Sequence, residues 1–159
     1  MLFDEQKGTS LMRNPEFTIV VKRAIDAAKR RGRRCGVQTN TAQLLTTIIN
    51  QADQAQQLLI NFGLDMSLLA RELGKVFTNS DSLPRTANLQ HTSSFQLVIN
   101  QAQEVARREG ATIVSSRHLI EALAYQRPGL AGDILHRLGL PDHGTFTFKV
   151  ADFELTPEE

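Results

Sequence analysis

The stretch TSSFQLVINQAQEVARREG, residues 92–110, decides the fold of this chain. Its apolar side chains recur every three or four residues, which is the spacing of one helix face: Phe95, Val98, Ile99, Ala102 and Ala106. The Thr92 hydroxyl is suited to accept from the open N–H groups of a first helical turn, and Gly110 is suited to the turn that ends a helix. The stretch therefore predicts a helix that begins after Thr92 and ends before Gly110.

Two shorter helices are predicted after this one. The first opens at Ser115-Ser116-Arg117-His118. Pro128 starts the second, because its missing N–H costs nothing in a first turn, and Gly139 ends it. We expect His118, three residues after Ser115, to form a hydrogen bond across the start of its helix and to serve structure rather than catalysis.

The same pattern occurs earlier in the chain. Residues 14–32 align without gaps with residues 92–110, and the pairs of identical residues keep the phase of a helix: Phe17 and Phe95, Val20 and Val98, Ala24 and Ala102, Ala28 and Ala106, Arg30 and Arg108, Gly32 and Gly110. Further on, Phe62-Gly63-Leu64 aligns with Leu138-Gly139-Leu140. Matches of this kind through most of the chain indicate an internal duplication.

The duplication divides the chain into a first repeat at residues 14–77 and a second at residues 92–150. Three further segments have no firm helical period: an N-terminal arm at 1–13, a polar linker at 78–91 and a tail at 151–159. In the first repeat we predict four helices, with Asn14 capping the first and Asp65 capping the fourth.

The end of the second repeat departs from the first. Where a fourth helix should recur, Phe146, Phe148 and Val150 alternate with polar residues, and this alternation is typical of a strand. We therefore expect about three helices in the second repeat, followed by a short strand near residues 145–150 in place of the fourth helix.

Composition describes an ordinary globular chain whose net charge favours no particular class of partner. It has 159 residues, 41% of them hydrophobic, and a formal net charge of +1. No apolar run approaches the roughly 18 residues of a membrane span, and the first residues lack the layout of a secretory signal. A single cysteine, Cys35, excludes an intramolecular disulfide and fits a reducing compartment. The sequence predicts a soluble, cytoplasmic protein that does not enter a membrane.

A basic cluster ends the first helix: Lys29, Arg30, Arg31, Arg33 and Arg34. Cations at a helix C-terminus are favoured by the helix dipole, which is one interpretation of the cluster. The alternative is a patch that binds nucleic acid or an acidic partner. No aromatic residue is interleaved for base stacking, so we favour the first interpretation over a nucleic-acid partner.

The reactive residues form no recognisable catalytic site. Cys35 lies in a predicted basic loop, which favours a reactive thiolate, but no histidine accompanies it in a catalytic motif. Four residues near the C-terminus offer metal-binding atoms in a spacing that matches no closed zinc pattern: Asp133, His136, Asp142 and His143. The chain also lacks the glycine-rich loop of a P-loop ATPase. We predict no catalytic residues, no metal and no cofactor.

The duplicated unit resembles one family. Each copy begins with a capped helix, at Asn14-Pro15-Glu16-Phe17 and at Thr92-Ser93-Ser94-Phe95. The second continues through Ser116-Arg117-His118-Leu119, and both close on an apolar pair followed by glycine, at 58–63 and 134–139. Together these motifs are similar to the double repeat in the N-terminal domain of Clp-family AAA+ unfoldases, over about residues 14–77 and 92–140.

The resemblance implies both a fold and a role. The implied fold is all-α, with two pseudo-twofold-related helical repeats packed as one globule. The implied role is non-catalytic binding of unfolded or tagged substrates, or of adaptor proteins, for a Clp AAA+ ring. A shallow groove known in some members falls here on Ile99, Val105 and His118. Two alternatives remain: a free-standing regulator or adaptor of a Clp machine, and a nucleic-acid-binding helical domain that uses the basic cluster.

Overall fold

The computed structural model describes residues 15–35, 39–81, 93–126, 129–153 and 155, with the backbone alone at 33–35, 76–81 and 93. Within these ranges the chain forms two short strands and eight helices: β1 (Glu16–Phe17), α1 (Ile19–Cys35), α2 (Thr41–Gln51), α3 (Asp53–Asn61), α4 (Met66–Asp81), α5 (Ser93–Arg108), β2 (Ile113–Val114), α6 (Ser116–Tyr125), α7 (Leu130–Arg137) and α8 (His143–Val150). The predicted all-α class is confirmed. Over the same ranges, no helix combines the length and the apolar character that crossing a membrane requires.

The first helix starts later than predicted. Asn14, the expected cap, lies outside the described residues, and α1 begins at Ile19. The preceding residues instead form β1, which pairs in parallel with β2 through N–H groups of Glu16 and Thr18, each 3.1 Å from its acceptor carbonyl. The Thr18 hydroxyl accepts from the N–H of Val21 at 3.3 Å and takes the capping role. A pairing with a strand in the other repeat has therefore displaced the local cap.

The first helix also continues into the segment around Cys35 that was predicted to be a basic loop. It includes Gly32 and finishes at Cys35, so that Cys35 is the last residue of a helix and not part of a loop. α4 likewise extends to Asp81, beyond the predicted boundary at residue 77. The arm at 1–13 and residues 82–91 of the predicted linker lie outside the described residues.

The second repeat contains a fourth helix, so the predicted strand at residues 145–150 is wrong. α8 occupies His143–Val150, and the Asp142 side chain caps it by accepting from the N–H of Thr145 at 2.8 Å. Phe146 is buried, whereas Phe148 is exposed. The two aromatic residues, two positions apart on one helical turn, therefore lie in opposite environments. A strand would place every second residue on the same face, but three alternating residues are too few to distinguish a strand from a helix.

The two repeats use the same helix ends. Gly63 after α3 and Gly139 after α7 both have positive φ, 87° and 110°, which glycine adopts without a steric penalty. In both places the next residue donates back into the helix: Leu64 to the carbonyl of Leu59 and Leu140 to that of Leu135, each at 3.1 Å. The duplication in the sequence is therefore a duplication of structure.

The repeats pack reciprocally. α3 lies against α6 as α7 lies against α2, and α1 lies against α6 as α5 lies against α2. Two polar contacts join helix starts across the boundary: Gln54 accepts from the N–H of Arg117 at 3.3 Å in a half-buried contact, and the Thr41 hydroxyl accepts from the N–H of Ala131 at 3.0 Å in a buried one. Matched contacts are what a twofold relation produces. Apolar residues of both repeats form one continuous core.

Candidate protein-binding surfaces

The three predicted groove residues lie in the interior. The exposed fractions of Ile99, Val105 and His118 are 9%, 4% and 3%. Ile99 and Val105 belong to α5 and His118 to the first turn of α6, and these two helices pack against each other. In this conformation the three side chains offer almost no surface, so a groove at this position remains a prediction that requires α5 and α6 to separate.

His118 has polar partners at both ring nitrogens. Its Nδ1 accepts from the N–H of Ser115 at 2.9 Å, so the ring proton is on Nε2, which faces Glu109 Oε1 at 3.1 Å. Burial, followed by the charge of Arg117, lowers the pKa of His118 and favours the neutral ring. The predicted hydrogen bond across the helix start is confirmed.

Glu109 also binds Arg117 in a two-pronged ion pair. The guanidinium nitrogens lie 2.9 and 2.5 Å from the two carboxylate oxygens. This hydrogen bonding from Arg117 is the main cause that lowers the pKa of Glu109 to about 2. Because Glu109 directly follows α5 and its partners begin α6, the cluster fastens the two helices together beside the predicted groove.

The basic cluster lies on the last turns of α1. Lys29 is half-buried, and Arg30 and Arg31 are exposed. Arg33 and Arg34 belong to the helix, but their side chains lie outside the described set, as does that of Cys35. The structure therefore places three of the five cations, and Arg31 also lines a pocket described below.

The C-terminal histidines have structural partners. His136 Nε2 lies 3.0 Å from the carbonyl oxygen of Ala124, and His143 Nε2 lies 3.1 Å from Glu121 Oε2. The Asp142 side chain is engaged in capping α8. Over the part of the chain that the structure describes, no three side chains of the metal-binding types gather into one site.

Exposed apolar side chains occur at equivalent positions of the two repeats. In the alignment of α1 with α5, Ile19 corresponds to Leu97, and their exposed fractions are 54% and 48%. Neither residue was among the predicted site residues. The recurrence of an apolar residue at this position of both copies, outside the core stripe, was the sequence signal that could have identified the pair.

A pocket of about 270 Å³ opens between α2 and α4. Its apolar wall is formed by Ile49 of α2 with Met66, Leu69 and Leu73 of α4, and its rim includes Arg31 at the end of α1. The sequence did not predict this pocket, because it depends on how three helices meet.

Comparisons with known proteins agree with this architecture. The N-terminal domain of the caseinolytic protease associated chaperone ClpD from Arabidopsis thaliana has 20% identity and a TM-score of 0.61, covering 86% of this chain and 93% of that chain. The Hsp104 N-terminal domain from Candida albicans has 14% identity and a TM-score of 0.69, covering 86% and 90%. No match is found among curated proteins. A family model, the Clp repeat (R) N-terminal domain, matches residues 14–138. The chain therefore belongs to the Clp repeat (R) N-terminal domain family.

Proposed function

We propose that this chain is a non-catalytic binding domain that presents polypeptides to a Clp-type AAA+ unfoldase. The polypeptides are unfolded or tagged substrates, or adaptor proteins that carry them. Family membership supports the proposal, since the domain occurs in Clp and Hsp100 chaperones. We place the protein in the cytoplasm, because its single cysteine fits a reducing compartment. Whether the domain is joined to its ATPase or acts as a separate regulator does not alter the binding role.

The observation that carries the proposal is the exposure of Ile19 and Leu97 at equivalent positions. Scattered apolar residues are normal on a protein surface, but both copies of a duplicated helix keep one here. An unfolded polypeptide exposes apolar side chains of its own, and burying them against such residues releases water from both surfaces. We therefore assign the first turns of α1 and α5 as the contact region for substrates.

Fluorescence anisotropy of a labelled, permanently unfolded model protein tests this assignment. The variant Ile19→Asp with Leu97→Asp should bind at least about ten-fold more weakly, equivalent to about 1.4 kcal/mol. Its circular dichroism should be unchanged, because both side chains are about half exposed and lie outside the core. A Val105→Asp variant is less informative, because Val105 is buried and a carboxylate there would disrupt the fold.

The matched control is Ile60→Asp on α3, an equally exposed apolar residue on a different helix. It should leave the affinity unchanged. If the double variant binds as tightly as the natural sequence, the contact region is not at α1 and α5. If the natural chain binds no unfolded protein and no Clp component, the proposed function itself is wrong.

A further inference from the structure

The pocket between α2 and α4 has an equivalent in the second repeat. Matching the caps of α2 and α6, Asn40 and Ser115, makes Asn50 equivalent to Tyr125. Matching the caps of α4 and α8, Asp65 and Asp142, gives two more equivalent pairs: Met66 with His143, and Leu69 with Phe146. The same place in the fold is therefore built with small or flexible residues in one repeat and with rings in the other.

In the second repeat this place is filled from within. The Tyr125 ring stacks on His143 with centroids 4.6 Å apart and meets Phe146 edge-on at 5.3 Å. Its hydroxyl donates to the carbonyl of Pro141 at 2.5 Å. The second repeat thus shows which kind of group the space between these helices accepts: an aromatic ring whose polar end reaches the rim.

The first repeat supplies no ring at the equivalent positions. Asn50 stands where Tyr125 would, and Met66 stands where His143 would, which leaves the 270 Å³ pocket. A cavity of about 150 Å³ is enough to hold a benzene molecule, so the pocket has room for one aromatic side chain and its Cβ. Methionine is a flexible thioether that adapts its shape to a ring and makes favourable contacts with it.

The charge at the pocket restricts which residues can flank the entering aromatic ring. Among the described residues that line the pocket, Arg31 alone is charged. It continues the basic end of α1, where Lys29 and Arg30 precede it, and none of the described lining residues carries a carboxylate. Acidic residues beside an entering side chain would meet this cationic rim, whereas basic ones would be repelled.

We propose that the pocket between α2 and α4 binds an aromatic side chain, flanked by acidic residues, in an extended segment of a partner protein. The inference rests on the proposed function in one respect, since it takes the partner to be a polypeptide. The pocket lies on a different surface from Ile19 and Leu97. The chain therefore has a second recognition site, which is selective for a short sequence motif rather than for exposed apolar residues in general.

The probe is a short capped peptide with the sequence Gly-Asp-Glu-Trp-Asp-Gly. The chain contains no tryptophan, so the emission of the peptide reports binding without background. Titration with the natural chain should shift this emission and give a saturable curve. A peptide with lysine in place of each acidic residue should bind at least ten-fold more weakly, and a dansyl-labelled peptide with alanine in place of tryptophan should not bind.

Residues taken from the second repeat provide the sharpest variant. Asn50→Tyr with Met66→His should abolish peptide binding by closing the pocket with the chain's own ring, and the fold should remain because Asn50 is exposed and Met66 is only half-buried. Arg31→Ser should weaken binding several-fold and reduce its dependence on salt. Leu97→Asp, outside the pocket, should bind the peptide normally.

Three results would overturn the proposal. The first is unchanged binding by the Asn50→Tyr, Met66→His variant, and the second is equal binding of the acidic and lysine peptides. The third is binding that emerges only after Leu2 and Phe3 are replaced by alanine, which would assign the pocket to the chain's own first residues. Loss of unfolded-protein binding in Leu97→Asp with the peptide still bound would support both sites, whereas failure of the peptide alone leaves the proposed function standing.

Discussion

Gln43 and His118 accept the same hydrogen bond at the starts of equivalent helices. The N–H of Asn40 lies 3.0 Å from Gln43 Oε1, and the N–H of Ser115 lies 2.9 Å from His118 Nδ1. An amide oxygen and an unprotonated ring nitrogen therefore perform one task in α2 and α6. His118 has in addition the contact with Glu109, which has no counterpart among the contacts of Gln43 described above.

This equivalence predicts the outcome of replacing His118. His118→Ala should lower the free energy of unfolding by about 1–2 kcal/mol, because the Ser115 N–H loses its acceptor and a buried contact is lost. His118→Gln should recover at least half of that loss, since glutamine is the acceptor that the first repeat uses. Urea unfolding followed by circular dichroism measures the difference. Equal losses in the two variants would show that ring packing, not the hydrogen bond, is what matters.

Acid should weaken the contact between α5 and α6. The pKa of Glu109 is lowered from 4.5 to about 2, so the unfolded chain binds the proton first. The stability that Glu109 contributes is therefore complete above about pH 4.5 and is lost as pH falls toward 2. The lowered pKa of His118 acts in the same direction below about pH 6.5, because the unfolded ring is protonated while the folded ring stays neutral.

Urea midpoints measured from pH 7 to pH 2.5 test this dependence. Glu109→Gln should start less stable than the natural chain and should approach it as pH falls, so that the two curves converge. Glu104→Gln is the control, because Glu104 pairs with Arg107 on the partly exposed side of α5. Parallel curves for Glu109→Gln and the natural chain would contradict the prediction.

The Thr41 side chain should contribute more to the free energy of unfolding than its size suggests. Its hydroxyl oxygen accepts from the N–H of Ala131 at the start of α7, and Gly129, the residue before that helix, makes no side-chain cap. Thr41→Val keeps the shape and removes the acceptor, leaving a buried N–H without a partner. The free energy of unfolding should fall by about 1–3 kcal/mol.

Thr41→Ser is the matched control, since serine keeps the hydroxyl. It should lose less stability than Thr41→Val, and both should show the same dependence of the free energy on urea concentration if the repeats still unfold together. A valine variant as stable as the natural chain would mean that α7 satisfies its first turn in another way.

Phe146 and Phe148 should respond oppositely to truncation. Phe146 is fully buried and stacks on Phe62 with centroids 4.7 Å apart and ring planes 6° from parallel, whereas Phe148 is 76% exposed. Phe146→Ala should therefore cost about 3–5 kcal/mol in unfolding free energy. Phe148→Ala should change it by no more than about 0.5 kcal/mol. Comparable losses for both would place α8 in the wrong register.

Periodicity and capping residues predicted most of the helices. The α5 and α6 starts, the Asp65 cap of α4 and the glycine ends of α3 and α7 all depend on contacts within a few residues, which sequence patterns record. The duplication then supported the matching predictions in the other repeat, except at the end of the second repeat, where a strand was predicted in place of α8. Local signals of this kind are dependable because one hydrogen bond and one backbone conformation decide them.

The predictions at the start of the first repeat and at the end of the second were wrong for a different reason. β1 forms because it pairs with a strand in the other repeat, and no residue near Glu16 indicates this pairing. At the C-terminus, the alternation of Phe146 and Phe148 suggested a strand over too few residues. Asp142, which follows Gly139-Leu140 much as Asp65 follows Gly63-Leu64, was the stronger signal, and aligning the two caps would have recovered α8.

The candidate sites were harder to predict than the fold. Ile99 and Val105 were assigned to a groove by resemblance, but burial is a property of how α5 meets its neighbours. The pocket between α2 and α4 depends on a difference between repeats: Asn50 is unremarkable until Tyr125 is seen to fill the equivalent space. A site of this kind can be recognised only when the equivalent helices of the two repeats are superimposed.

The pairing of β1 with β2 has a consequence for synthesis. When the polypeptide leaves the ribosome, α1 to α4 are translated well before Ile113 and Val114, so Glu16 and Phe17 wait for their partner strand. Contacts between residues so distant in sequence form late and slow the final steps of folding. The beginning of α1 should thus be the last part of the first repeat to become resistant to proteases in a nascent chain. It should become resistant only after the second repeat has been translated.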